Sequence, residues 1–130
     1  MLRPQDQTWL AERGIAYRVT DHGDGTHLVL QDVALPAGLE PPTTDVLIVL
    51  PPGFADVGPD MFWCFPAVTG TAGRVIPGTE GQHSEDGRTW QRWSRHIGND
   101  WRPGIDNLAT YLAYIHQALA QAGTAAQAAA

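Results

Sequence analysis

Lysine is absent from this chain of 130 residues, and all eight of its side-chain cations are arginine. A GC-rich coding sequence produces that bias, along with the excess of Ala, Gly and Pro. Read functionally, a lysine-free surface offers no side-chain amine to acylation. Cysteine occurs once, at Cys64, which excludes an internal disulfide framework. No run reaches the ~18 apolar residues of a membrane span. The first twenty residues lack the apolar core of a secretory leader, so the expected location is cytoplasmic, with no membrane partner. Phosphate-binding glycine motifs and dinucleotide fingerprints are also missing.

Hydrophobic residues make up 43% of the chain and charged residues 17%, which excludes a generic disordered polymer. The length suits one domain over residues 1–130, with an ordered core of about 4–122 and an Ala-rich tail of 123–130. The net charge is −6. Arg88, Arg92, Arg95 and Arg102 stand against Asp100 alone between residues 88 and 102, so that segment is +3 and the remainder −9. A local basic stripe on an acidic protein points to an acidic partner or a carboxylate and away from nucleic acid.

The order of elements follows from periodicity and breakers. Residues 4–13 read as a short helix that starts after Pro4 and stops at Gly14. Ala16–Thr20, a Gly-rich turn and His27–Leu30 read as a hairpin, and Asp45–Leu50 as a central strand buried on both faces. Met61–Phe65 is a fourth, aromatic strand. Residues 66–87 lose periodicity and read as one long irregular loop. Ile105, Leu108, Leu112, Ile115 and Leu119 then mark an amphipathic helix to about Gly123, with Asp106 as a cap. The fold class is α+β: helix, four-stranded antiparallel meander, loop, helix. The expected core contains Trp9, Val29, Leu47, Val49, Phe62, Leu108, Leu112 and Ile115.

That order resembles the ubiquitin-conjugating (E2, or UBC) superfamily, and in particular its prokaryotic E2-like branch. Phe54-Ala55-Asp56-Val57-Gly58-Pro59 stands in the frame of the family's Tyr-Pro-x-x-Pro-Pro turn, and Trp63 where an aromatic is placed on the fourth strand. Phe65-Pro66 echoes His-Pro-Asn, and Gly87 the glycine before the active site. Trp101-Arg102-Pro103 matches the Trp-x-Pro before the next helix, and Trp90 to His96 looks like the signature of the bacterial branch. The resemblance covers about residues 4–122 and leaves no room for the last two helices of typical members.

The departures bear on chemistry. The family nucleophile, a Cys, lies eight residues before that Trp and three after that Gly; here those counts fall on Trp93 and Trp90. Ala67 replaces the asparagine whose amide supports an oxyanion. The first alternative nucleophile is Ser94, with His96 as base, on the same face if a strand continues there, and Arg95 beside them. The second is Cys64, whose aromatic neighbours favour a packed, unreactive thiol.

The resemblance implies an E1-like adenylating enzyme, a ubiquitin-like modifier and a deconjugating peptidase as partners, and no resident cofactor. His22 and His27 flank a turn with Asp21 and Asp24, yet the five His lack a recognised ligand spacing, and no metal is expected. The runner-up function is a non-catalytic adaptor of the same fold that binds the modifier or the E1. A small hydrolase using His83 or His96 is the third reading.

Overall fold

The computed structural model describes residues 1–129. Helix α1 spans Pro4–Glu12, with proline at its start, where the missing N–H costs nothing. Gly14, at φ +66°, turns the chain out of it. Arg3 grips Asp6 with two hydrogen bonds of 2.7 and 2.9 Å across the first turn. Leu10 is fully buried, whereas Trp9 is half-buried under the Arg13 guanidinium.

Strands β1 (Tyr17–His22), β2 (Gly25–Ala34), β3 (Leu39–Glu40), β4 (Thr43–Leu50), β5 (Phe62–Phe65), β6 (Thr69–Gly70), β7 (Gln82–Glu85) and β8 (Arg88–Trp93) follow. Six of them form an antiparallel sheet in the order β1-β2-β4-β5-β8-β7, and β3 pairs with β6 in a small second sheet. The four-stranded meander expected from the sequence is therefore extended to six strands. The segment 66–87 is not one irregular loop, because it holds β6 and β7. Strand β7, Gln-His-Ser-Glu, has no apolar alternation, and its pairing with β8 supplies what its composition does not.

Helix α2 spans Leu108–Ala128, five residues past the end expected at Gly123. Its cap is Asn107, not Asp106. Asn107 accepts from the Thr110 N–H at 3.1 Å while the Thr110 hydroxyl accepts from the Asn107 N–H at 2.7 Å. Asp106 instead accepts from the Arg102 backbone and guanidinium at 2.8 and 3.0 Å, pinning the turn before the helix. Ile105 precedes the helix and is exposed, so it lies outside the apolar stripe.

Alternation along the strands divides the core in two. One face carries Leu28, Leu30, Val46, Ile48, Leu50, Phe62, Cys64 and Trp93, packed with Leu10 of α1 and Leu108, Tyr111, Leu112, Ile115 and Leu119 of α2. The other face carries a smaller cluster of Val29, Leu47 and Trp90, edged by Trp63 and Phe65. Of the expected core, Val49 and Trp9 are only half-buried; the other six are buried.

The second face is covered by the polar β7–β8 hairpin. In a flat sheet β2 and β7, separated by three strands, lie about 19 Å apart. Yet His27 of β2 meets Glu85 of β7 at 2.7 Å, so the sheet curls until its ends approach. His27 Nε2 also meets Asp24 at 2.7 Å. Burial disfavours the imidazolium, but Glu85 and Asp24 outweigh it and raise the His27 pKa. Burial likewise opposes the Glu85 carboxylate, and His83 and His27 more than compensate, lowering its pKa. At the other side of the hairpin Arg88 pairs with Asp45 at 2.9 Å and lies over the Phe65 ring.

Candidate functional site

The basic stripe noted in the sequence begins on β8 and runs past its end. Strand β8 stops at Trp93, a fully buried anchor stacked on Phe62 at 5.4 Å between ring centroids. Ser94, Arg95 and His96 follow outside the strand, so the alternation that would put Ser94 and His96 on one face does not operate. Ser94 donates its backbone N–H to the Gly78 carbonyl at 2.9 Å, and the Arg95 N–H returns to Trp93 at 2.9 Å. The segment is thereby tied to residues 76–81, where the Arg92 N–H also donates to Gly81 at 2.8 Å.

Two glycines make room for the arginines. A Cβ on Gly78 would stand 2.6 Å from the Arg95 guanidinium, and one on Gly81 2.5 Å from that of Arg92. Gly78 also has φ +80°, which a side chain would strain. Arg95 is held over the Trp93 ring, 5.1 Å from its centroid. Arg95 is half-buried, and its guanidinium is the kind of group that binds a carbonyl or carboxylate oxygen.

His96 has a partner that sequence reading missed. Its Nδ1 lies 2.6 Å from Asp60 Oδ1, with both side chains more than half exposed. The carboxylate fixes the orientation of the ring through Nδ1. Asp60 lies 36 residues earlier, in the segment before β5. The pairing of Phe62 with Trp93 brings the two segments together. The sequence signal was faint: an acid just before the fourth, aromatic strand. Among the described residues no hydrogen bond joins Ser94 Oγ to His96.

Cys64 is elsewhere. It sits on the helix-facing side of β5 with no exposed surface. Burial pushes its thiol far above the ordinary range, and a hydrogen bond with Thr44 opposes this only in part. Trp90 and Trp93, at the positions counted for the nucleophile, are fully buried. His83 lies on the second face against Glu85, at 3.0 Å, away from Ser94.

The motifs around Phe54 and Trp101 form one unit. The Trp101 indole donates to the Ala55 carbonyl at 2.9 Å and packs on Phe54 and Tyr111. Gly58 lies so close that a Cβ there would meet the indole at 2.5 Å. The turn before β5 is thus docked on the segment leading into α2.

The family comparison identifies an E2-like protein. Residues 2–122 match the family model of prokaryotic E2 family E, and the chain belongs to that family. Neither the curated proteins nor the solved structures give a match. Among the described residues no helix is long and apolar enough to cross a membrane.

Proposed function

We propose that the protein is the E2-like component of a bacterial ubiquitin-like conjugation pathway, built on a UBC-like fold. In this reading it accepts the C-terminal carbonyl of a ubiquitin-like modifier from an E1-like enzyme. Ser94 is the acceptor, His96 the base, Asp60 its orienting partner, and Arg95 the group that holds the developing oxyanion. The observation that carries the assignment is the 2.6 Å Asp60–His96 pair, two residues along the chain from Ser94 and one from the braced Arg95. Ser94 Oγ bonds to the activated carbonyl and the bond to the activating group breaks. The hydroxyl proton passes to His96 Nε2 and on to the departing group. Substrate binding is asked to close Ser94 on His96, as catalytic hydrogen bonds often tighten only in the bound complex. ATP is consumed by the E1-like partner, and a peptidase that removes the modifier completes the pathway.

A second reading, a non-catalytic adaptor that holds the modifier or the E1, is favoured by the burial of Cys64, Trp90 and Trp93. Intact mass spectrometry of the protein mixed with E1, modifier and ATP separates the two. The carrier gives an adduct that survives thiol reductant, yields to hydroxylamine, persists in Cys64→Ala and is lost in Ser94→Ala. His96→Ala slows its formation by about 10²–10⁴-fold, the usual weight of a general base. An E1 that activates the modifier while this protein binds it without any adduct establishes the adaptor. An adduct lost to reductant and to Cys64→Ala assigns the carrier role to Cys64.

A further inference from the structure

The polar clamp over the second face contains more imidazole than an ion pair uses. His22 and His27 come from the β1–β2 hairpin, and His83 and Glu85 from β7. One nitrogen each of His22 and His27 and a carboxylate oxygen of Glu85 all lie within 4.8 Å of one another. His83 Nε2 is 3.0 Å from the same carboxylate. His22 stacks on His27 with ring centroids 3.9 Å apart. His22 Nε2 stands 3.9 Å from Glu85, too far for a hydrogen bond.

From this arrangement we propose that His22, His27 and Glu85 bind a divalent transition-metal ion of the zinc class, with the exposed His83 beside Glu85 swinging in as fourth ligand. Imidazoles with one carboxylate are the donor set such ions prefer. A tetrahedral ion with bonds of about 2.0–2.1 Å holds its ligand atoms about 3.3 Å apart. That spacing falls between the 2.7 Å of His27 to Glu85 and the 3.9 Å of His22 to Glu85. The surroundings fit as well. Asp24 accepts from His27 Nε2 at 2.7 Å and holds the ring with Nδ1 facing Glu85, where a bound ion would take the place of the Nδ1 proton. His27 and Glu85 are buried, whereas His22 and His83 are 37% and 42% exposed, so the site has an entrance. The ion ties the β1–β2 hairpin to β7, closing the curled sheet across its second face. Sequence spacing gave no sign of this, since Glu85 lies 58 residues from His27.

The test uses tag-free protein, stripped by chelator and titrated with Zn²⁺ and with Co²⁺. The expected result is one equivalent of Zn²⁺ bound, a higher Tm, and the intense visible absorption of four-coordinate Co²⁺. His22→Ala and His83→Ala change exposed side chains and keep the fold, checked by circular dichroism. Each should weaken binding at least tenfold, as should Glu85→Gln, while His116→Ala on the exposed side of α2 binds like the parent. Absence of saturable stoichiometric binding overturns the proposal, as does parent-like binding by both His22→Ala and His83→Ala.

Discussion

The two faces of the sheet are held by different physics. Against the helices, strands β2, β4, β5 and β8 bury a continuous apolar layer from Leu28 to Trp93. Burial of this kind contributes about 25 cal/mol per Å² without demanding a particular geometry. Across the sheet, the buried apolar cluster is just Val29, Leu47 and Trp90, and the hairpin above it is tied by His27, Glu85, Arg88 and Asp45. Polar ties are directional and leave a costly orphan when one partner goes. The helix face thus sets whether the protein folds, and the second face sets how the last two strands are placed.

The largest test breaks the helix face. Phe62→Ala removes a fully buried ring stacked on Trp93 and should cost about 3–5 kcal/mol. Chemical denaturation should show the loss as a lower midpoint for the whole molecule. On the second face, Glu85→Gln in chelated protein removes the charge that His27 and His83 share. A loss of roughly 1.5–3 kcal/mol is expected, in the range of hydrogen bonds to charged groups. Hydrogen exchange should rise in β7 and β8 while β4 amides stay protected; equal loosening of both would erase the contrast between the faces.

The smallest effect is electrostatic and belongs to the turn before α2. The Arg102 side chain and backbone hold the Asp106 pKa below its ordinary value. A lowered carboxylate pKa contributes stability fully present above the unfolded value, about 3.9, and lost as pH falls through the folded one. The stability gap between the parent and Asp106→Asn should therefore be constant at neutral pH and close below about pH 4. A gap that stays open in acid would assign the effect to packing.

Much of the fold was legible because its signals are local. Pro4 and Gly14 bracket α1, the run from Val46 to Leu50 announces a central strand, and the spacing from Leu108 to Leu119 announces α2. Strand β7 was not legible, because Gln82–Glu85 carries no apolar period and becomes a strand only by pairing with β8. The cap of α2 was misread by one residue, since Asp106 and Asn107 are both capable caps and Arg102 takes the first. Ser94, Arg95 and His96 were found as a cluster in the chain, but Asp60 was not, because the link is 36 residues long.

By itself the sequence determined the α+β class, the apolar stripe of α2 and the basic segment from Arg88 to Arg102, all written in residue type and near-neighbour spacing. Its ordered motifs also pointed to the E2-like family that the chain belongs to. Tertiary structure alone decided that His96 meets Asp60 and that His22, His27, His83 and Glu85 converge, whereas the burial of Cys64 was already indicated by its aromatic neighbours. The reason is geometric: curling and strand pairing bring together groups far apart in the chain, and no local pattern encodes where a sheet's distant ends will meet.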